Sequence, residues 1–429
     1  MERYQIKNLY SSGDYQGIIA LWENEEERGQ FSDWDYVYVM NTFYAQKEYD
    51  QCLEVYRSFH KKYPDSDKLD DKMAWSCYHA RMKNFDFKTG EKEKLKQQAE
   101  YIIEHSSQSV YSPKWFMVKY MLKHMKNGDF GQIVTDQDAL RYIDAVDPET
   151  LSLTCETVMA ENGKEIEKAS DKETWYMNRA KLLFLNGDYE QCIECSDKAL
   201  SAFSKYHYNN DSWFRYRKAK SLFALGNKEE ARKFVREIQS RGMNHWCLQQ
   251  LLFEMDSSDG QKDRAMMYAG MCALTDPSHE MRVSFYEDYA DYLEANGYQE
   301  EADLHRHLVL LIRRENEWTL REKHLSWSIP TGISALNKQE TLQKLKRFWT
   351  ECRDKNVTWH TGSVTRVLAE GRSGFITDEN GKSYYFNSRD LKGNRGIAEE
   401  GLKVRFTLVD RLDRSKGVIK PNAVQITII

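Results

Sequence analysis

The spacing of apolar residues changes character once along the chain. Over roughly the first 350 residues the apolar positions fall at helical intervals, broken by short polar turns. The last clear case follows Glu340. There Leu342, Leu345, Phe348, Trp349 and Cys352 recur with Lys344, Lys346 and Arg347 between them. That pattern predicts one amphipathic helix whose apolar stripe packs on the elements before it. Trp327 to Ile333, with Pro330 and Gly332, reads as a linker ahead of it. From Thr358 the period becomes two. Alternation predicts strands at His360–Leu368, Gly374–Asp378, Ser383–Phe386, Leu402–Asp410 and Val418–Ile428. Turn-forming runs separate them: Glu379-Asn380-Gly381-Lys382, Gly393-Asn394-Arg395-Gly396 and Arg414-Ser415-Lys416-Gly417.

A short phrase recurs through the helical part: Gly13-Asp14-Tyr15, Lys47-Glu48-Tyr49, Gly128-Asp129-Phe130, Gly187-Asp188-Tyr189, Gly226-Asn227-Lys228, Gly260-Gln261-Lys262 and Gly297-Tyr298. Positions 13 and 47 are 34 apart, and so are 226 and 260; 187 to 226 is 39, and 260 to 297 is 37. Each phrase sits between two helical patterns. Glycine suits the tight turn that ends the first helix, and Asp or Asn can cap the second. With the turn residue as position 15, position 8 is Ala180, Ala219 and Ala290, and position 20 is Cys52, Cys192, Ala231, Ala265 and Ala302. Position 17 is Tyr15, Tyr49, Phe130 and Tyr189, and a Pro stops the second helix at Pro64 and Pro277.

These residues resemble the tetratricopeptide repeat (TPR) family in period, turn, small positions and final Pro. The best units span about 36–64, 174–204 and 213–277. The resemblance covers roughly 1–320 and is weakest at about 70–170, where Phe85-Asp86-Phe87-Lys88-Thr89-Gly90 reads as an enlarged turn. It implies a superhelix of helical hairpins, each burying its apolar face on a neighbour, with a groove for a protein partner.

The strands carry a second resemblance. Gly362-Ser363-Val364, followed twelve residues later by Gly374-Phe375-Ile376, is similar to the opening of a cold-shock domain, GTVKWFN…KGFGFI. Tyr385-Phe386-Asn387-Ser388-Arg389-Asp390-Leu391 resembles its second RNA-binding strand, FVHFSAI. Gly401 to Phe406 and Ala423 to Ile426 resemble its last two strands. The resemblance covers about 357–429 and implies a small five-stranded OB-type β-barrel that stacks single-stranded bases on aromatic rings. Phe375 and Tyr385 keep those rings. Arg366 stands where the family has an exposed Trp, Val367 where it has Phe, Ser373 where it has Phe, and Asn387 where it has a stacking His. The implied nucleic-acid-binding residues are Phe375, Tyr385, Asn387, Arg366, Arg372 and Lys382, the arginines substituting in part for lost rings. The fold expected is therefore mostly α: a TPR-like solenoid at 1–320, a linker and packing helix at 321–356, and a cold-shock-like barrel at 357–429.

Charge sharpens this division. The 429 residues carry 62 Lys and Arg against 67 Asp and Glu, net −5. Residues 357–429 hold twelve basic and eight acidic side chains, leaving an acidic remainder of 50 against 59. A basic barrel on an acidic array is the asymmetry expected if the tail alone meets phosphate; a protein-binding or purely structural barrel stays open as the other reading. Aromatics are 13% of the chain and Pro only 6 residues, which suits long helices packed through large side chains. Mean hydropathy is −0.76, and apolar runs such as Leu308–Ile312 fall far below the ~20 residues of a membrane helix. Met1-Glu2-Arg3-Tyr4 shows no apolar signal region, and eight Cys without framework spacing fit a reducing compartment, so a cytoplasmic protein is expected.

Candidate chemistry is sparse. Cys192-x-x-Cys195 lacks a second ligand pair, and its first Cys occupies a small packing position, so it reads as packing. His305-x-His307, on a charged helix, reads as solvated surface. Glu23 to Glu27 and Glu300-Glu301 read as solvated helix faces. No P-loop, GxSxG or HExxH pattern occurs. No catalytic residue, metal or cofactor is expected. The expected role is a non-enzymatic adaptor that binds a protein partner and single-stranded RNA or DNA, with no membrane. A pure protein-interaction scaffold is the main alternative; an enzyme with its site within 70–170 is a third.

Overall fold

The computed structural model describes residues 4–109, 112–160, 163–243, 245–275, 278–355, 357–368, 371–392, 398–413 and 418–429. Pro277, the turn Gly393–Gly396 and the turn Arg414–Gly417 lie outside the described residues. The chain divides into two compact units, Met1–Arg217 and Lys218–Ile429.

The first unit is built of helical hairpins: Gln5–Ser12 with Tyr15–Glu23, Asp33–Ala45 with Tyr49–Lys62, Lys92–His105 with Pro113–Lys126, and Asp171–Asn186 with Tyr189–Ala202. The turn phrases do what their chemistry suggests. Gly187 ends its helix in the left-handed region at φ +82°, and Lys47, the one side-chain-bearing residue at that position, is held at φ +62°. Capping is less uniform. Asp14 accepts from the Gly17 amide, but Asp188 and Asn227 make no side-chain cap. Gly128 ends a helix that is followed by turns up to Thr135, and Phe130 is buried there edge-on to Phe87. In the other phrases position 17 meets the aromatic five residues earlier: Tyr15 on Tyr10, Tyr49 on Tyr44 and Tyr189 on Phe184, with ring centroids 5.9, 5.5 and 5.5 Å apart.

The irregular middle contains what the sequence pattern did not announce. A π-helical turn, Tyr78–Met82, ends the Asp70–Cys77 helix. The enlarged turn at Phe85–Gly90 is present, with Asp86 accepting from the Lys88 amide and the Thr89 hydroxyl. Two short exposed strands, β1 (Thr157–Met159) and β2 (Glu165–Glu167), form an antiparallel hairpin.

The second unit continues with Lys228–Ser240, Trp246–Ser258, Lys262–Leu274, Val283–Ala295 and Gln299–Glu315. The amphipathic helix Lys338–Lys355 is present and does pack on the helices before it. Leu345 and Trp349 are fully buried, and Trp349 stacks flat on Tyr286 at 5.7 Å. A Cβ at Gly270 would lie 2.5 Å from the Trp349 carbonyl oxygen, so the two helices approach this closely because position 270 has no side chain. The expected linker is docked rather than free: Ile333 is buried and Trp327 packs on the same core.

His305 and His307 are not solvated surface; both are buried. His305 Nδ1 lies 2.7 Å from the Glu301 carbonyl, and its Nε2 accepts from the Trp349 indole N–H at 2.9 Å. His307 Nε2 lies 2.8 Å from the Leu336 carbonyl. Each imidazole is a satisfied core group, and residues two apart reach two different packing partners.

At the C-terminus come β3 (His360–Leu368), β4 (Ser373–Asp378), β5 (Ser383–Asn387), a two-residue β6 (Leu391–Lys392), β7 (Lys403–Asp413) and β8 (Val418–Ile428). β3 pairs antiparallel with β4 and β7, β4 with β5, and β7 with β8, while β5 runs parallel to β8. The five longer strands therefore form a circuit of pairings that returns to its start. They share a separate core of Val364, Ile376, Tyr384, Phe386, Val404, Phe406, Ala423 and Ile426.

Candidate functional site

The outer face of the C-terminal strands carries the residues singled out by the sequence. Register places Arg366 opposite Phe375, Phe375 opposite Tyr385, Tyr385 opposite Asn422, and Asn422 opposite Val409. Residues directly opposite share a face, so these five form a row across five strands. Their neighbours along the strands, Ile376, Tyr384 and Phe386, point inward and are buried. Phe375 and Tyr385 are half-buried and meet edge to face at 5.7 Å and 73°.

Arg366 reaches this row through a bulge. Strict alternation from the buried Val364 would send it inward. The β3–β4 register shifts between Val364 and Arg366, leaving Thr365 and Arg366 both exposed. Thr365 then hydrogen-bonds across to the Thr377 hydroxyl at 2.9 Å.

The remaining candidates sit apart from the row. Asn387 lies two residues beyond Tyr385, opposite Ser373. Arg372 is exposed just before β4, its carbonyl accepting from the Ser388 amide at 2.9 Å. Lys382 is at the other end of the β4–β5 hairpin, with its ammonium 5.4 Å from the Tyr384 ring centroid. Asp378 anchors that turn. The amides of Lys382 and Asn380 and the Tyr384 hydroxyl all donate to it and hold its carboxyl below the usual range. Arg389, within the segment resembling the second RNA-binding strand, has its side chain outside the described residues. The structure thus brings together Arg366, Phe375 and Tyr385, with Asn387 and Arg372 towards one end and Lys382 at the other.

One pair escaped the sequence reading. Trp359, half-buried just before β3, lies under the Arg405 guanidinium at 4.6 Å. An aromatic immediately ahead of a strand was the available signal, but Trp359 falls outside the segments that carry the cold-shock resemblance.

In the first unit an open cleft runs between the helices Asp171–Asn186 and Tyr189–Ala202 and the turn at Pro148–Thr150. Trp175 donates its indole N–H to the Ile143 carbonyl at 3.0 Å, and Arg179 lies over the Trp175 ring while pairing with Asp144 at 2.7 Å. Cys195 lines the floor and is buried, which pushes its thiol up to about 11 despite the nearby Arg179. A thiol in that state is a packing group rather than a nucleophile.

One match to a known family falls on the hairpin of Asp33–Ala45 and Tyr49–Lys62. The tetratricopeptide repeat family matches residues 38–66, which hold most of the Asp33–Ala45 helix, the Lys47 turn, the Tyr49–Lys62 helix and Pro64. Residues 38–66 are thus similar to one tetratricopeptide repeat. Repeats of this family stack into extended surfaces. A domain of unknown function, DUF7017, matches residues 212–349 and so ends at Trp349, before the strands begin. No curated protein matches. Among solved structures, the chain is similar to one in the crystal structure of the APC/C hetero-tetramer Cut9-Hcn1, at 12% identity and a TM-score of 0.33, covering 79% of this chain and 58% of that one. The chain therefore spans less than two thirds of that relative. Among the described residues no helix is long and apolar enough to cross a membrane.

Proposed function

We propose that this protein is a non-enzymatic adaptor of the cytoplasm. Its helical hairpins hold a protein partner, and its C-terminal strands, closed as a small OB-type barrel similar to cold-shock domains, hold single-stranded RNA or DNA. The circuit of strand pairings, with β5 parallel to β8, supports the barrel reading. The observation that carries the nucleic-acid reading is the outward row of Arg366, Phe375 and Tyr385. A half-exposed aromatic pair beside an exposed guanidinium offers two π-faces and a cation to a strand of bases. The basic balance of 357–429 supports it. The tetratricopeptide repeat at 38–66 and the open cleft beside Trp175 and Arg179 support the protein-binding half.

The competing reading is a pure protein-interaction scaffold with a structural barrel. It is favoured by Ser373 and Asn387, which stand where cold-shock domains carry rings. The two separate in one experiment. Nucleic acid that copurifies with the full chain, and is absent when 357–429 is deleted, supports the adaptor. A nucleic-acid-free protein that shows no binding of a labelled single strand below about 1 mM at low salt leaves the scaffold.

A further inference from the structure

In the first unit three metal-ligating side chains converge from separate parts of the sequence. Cys155 Sγ, a Glu167 carboxylate oxygen and a His207 ring nitrogen all lie within 4.8 Å of one another. The β1–β2 hairpin supplies the first two. Cys155 stands just before β1, and Glu167 is the last residue of β2, directly opposite Thr157. A bond from the Lys168 amide to the Glu156 carbonyl at 2.8 Å extends the ladder towards Cys155. His207 comes from the connection between the helices Tyr189–Ala202 and Asn210–Ala224.

The orientation of His207 is fixed by Glu173, which is itself only 1% exposed. One carboxylate oxygen of Glu173 accepts from the His207 backbone amide at 2.9 Å and from Asn210 Nδ2 at 2.7 Å. The other lies 2.7 Å from His207 Nδ1. A carboxylate only accepts, so Nδ1 carries a proton and donates it. The second ring nitrogen, Nε2, is then left facing Cys155 and Glu167. His207 is 8% exposed, and Nε2 has no hydrogen-bond partner among the described residues. Its nearest carboxylate oxygen, on Glu167, is 3.5 Å away. A buried imidazole nitrogen without a partner is costly unless something binds it.

A histidine whose Nδ1–H is held by a buried carboxylate, with Nε2 aimed at a thiol and a second carboxylate, has the outer-shell arrangement of metal-binding histidines. We propose that Cys155, Glu167 and His207 form a binding site for a divalent transition-metal ion of the zinc class, tying the β1–β2 hairpin to the helices of this unit. One sulfur, one nitrogen and one oxygen suit zinc, which takes all three at tetrahedral geometry. They do not suit magnesium or calcium, which require mainly oxygen. Three protein ligands leave a fourth position for water. Lys205, which pairs with Glu167, yields that carboxylate to the ion on binding. Binding converts the Cys155 thiol to thiolate and releases its proton to solvent.

The test uses the full chain, stripped with a chelator and titrated with zinc sulfate and, separately, with cobalt(II). One equivalent of zinc per chain is expected, with proton release read from the buffer dependence of the heat. Cobalt should show a thiolate charge-transfer band in the near ultraviolet. Cys155→Ser, at a half-exposed position outside the core, should remove that band and weaken zinc at least about tenfold while leaving the fold unchanged by circular dichroism. Glu173→Gln should weaken zinc about 10–100-fold through the lost support of His207. Cys195→Ala should leave binding unchanged. Failure of the full chain to bind near one equivalent of zinc, or zinc and the cobalt band surviving Cys155→Ser, overturns the site. His207 is then a buried ion-pair member between Glu173 and Glu167.

Discussion

The Cys192 thiol donates to the backbone carbonyl of Ala180 across a helical hairpin, with sulfur and oxygen 3.2 Å apart. Cys52 makes the same contact with the Met40 carbonyl at 3.7 Å. In both hairpins the residue five after the turn position meets the residue seven before it. The small residues repeat because the two helices touch there. Ala180, Ala219 and Ala290 on one side, and Cys52, Cys192, Ala231, Ala265 and Ala302 on the other, are all fully buried.

Cys192→Ala should therefore be tolerated, costing less than about 1 kcal/mol, since a small side chain still fits and the S–H bond to Ala180 is a weak one. Cys192→Leu adds volume where the helices meet and should cost about 1–3 kcal/mol or more. Thermal unfolding of both variants checks this. Equal midpoints for the two would show that the helices do not touch at position 192.

Gly187→Val tests the turn itself. A Cβ at Gly187 meets nothing within 4 Å, so the penalty is backbone strain alone. Holding a branched residue at φ near +80° should cost about 1–2 kcal/mol. Gly187→Asn, which visits this region more readily, should cost less. Urea denaturation gives the order. A midpoint unchanged in the Val variant would contradict the turn geometry.

Gly270→Ala should separate the Lys338–Lys355 helix from the Lys262–Leu274 helix, because the added methyl overlaps the Trp349 carbonyl. The expected loss is roughly 1–3 kcal/mol. Trp349→Phe should destabilise by a different route. It removes the indole N–H and leaves the buried Nε2 of His305 without its donor. A Gly270→Ala protein as stable as the parent would mean that the helices are further apart than described.

Acid should weaken the second unit through His305. Burial pulls its pKa down to about 4 from an ordinary 6.5. His279 is pulled down to about 4 as well, by burial and then by the nearby Arg282. Between those values the unfolded chain binds a proton that the folded chain refuses. Stability therefore rises with pH through that window. It is lost as pH falls from about 6.5 towards 4, by up to about 1.4 kcal/mol per pH unit for a fully buried group such as His305. His305→Gln should flatten the dependence of the urea midpoint between pH 7 and 4.5. The same slope in parent and variant would remove His305 as its source.

Much of this architecture was legible because it rests on local spacing. A helix turn needs a particular φ, and crossing helices need small residues, so the phrase around Gly187 and the series ending at Ala302 could be read directly. The alternation from His360 to Ile428 gave the five longer strands within a few residues. What stayed hidden depends on contacts between distant residues. His305 and His307 sit among charged neighbours on their helix, and nothing in that run announces Trp349 and Leu336 as their partners. β1 and β2 are three residues each and exposed, so they carry no burial signal. Cys155, Glu167 and His207 have no motif spacing, since a hairpin and an interhelical turn bring them together. The outward aim of Arg366 comes from a bulge that the two-residue period cannot contain.

The row on the outer face gives the sharpest test of the proposed nucleic-acid role. Tyr385 is half-buried against Phe375, and the core beneath belongs to Tyr384 and Phe386. Tyr385→Ala should thus leave the strands folded while removing one stacking platform. Single-stranded RNA should bind about 1–3 kcal/mol more weakly, read by fluorescence anisotropy with a labelled oligonucleotide. Phe375→Ala should act in the same direction with a larger loss of stability, because its ring fills the space beside Tyr385. Arg366→Ala and Arg372→Ala together should reduce the salt dependence of binding by about two phosphate contacts, and a duplex should bind less well than a single strand. Lys382→Ala should change little, since Lys382 lies over Tyr384 at the far end of the hairpin. Binding that ignores Tyr385 and Phe375 but falls steeply with salt would mean plain electrostatic attraction, and the stacking face would lose its role.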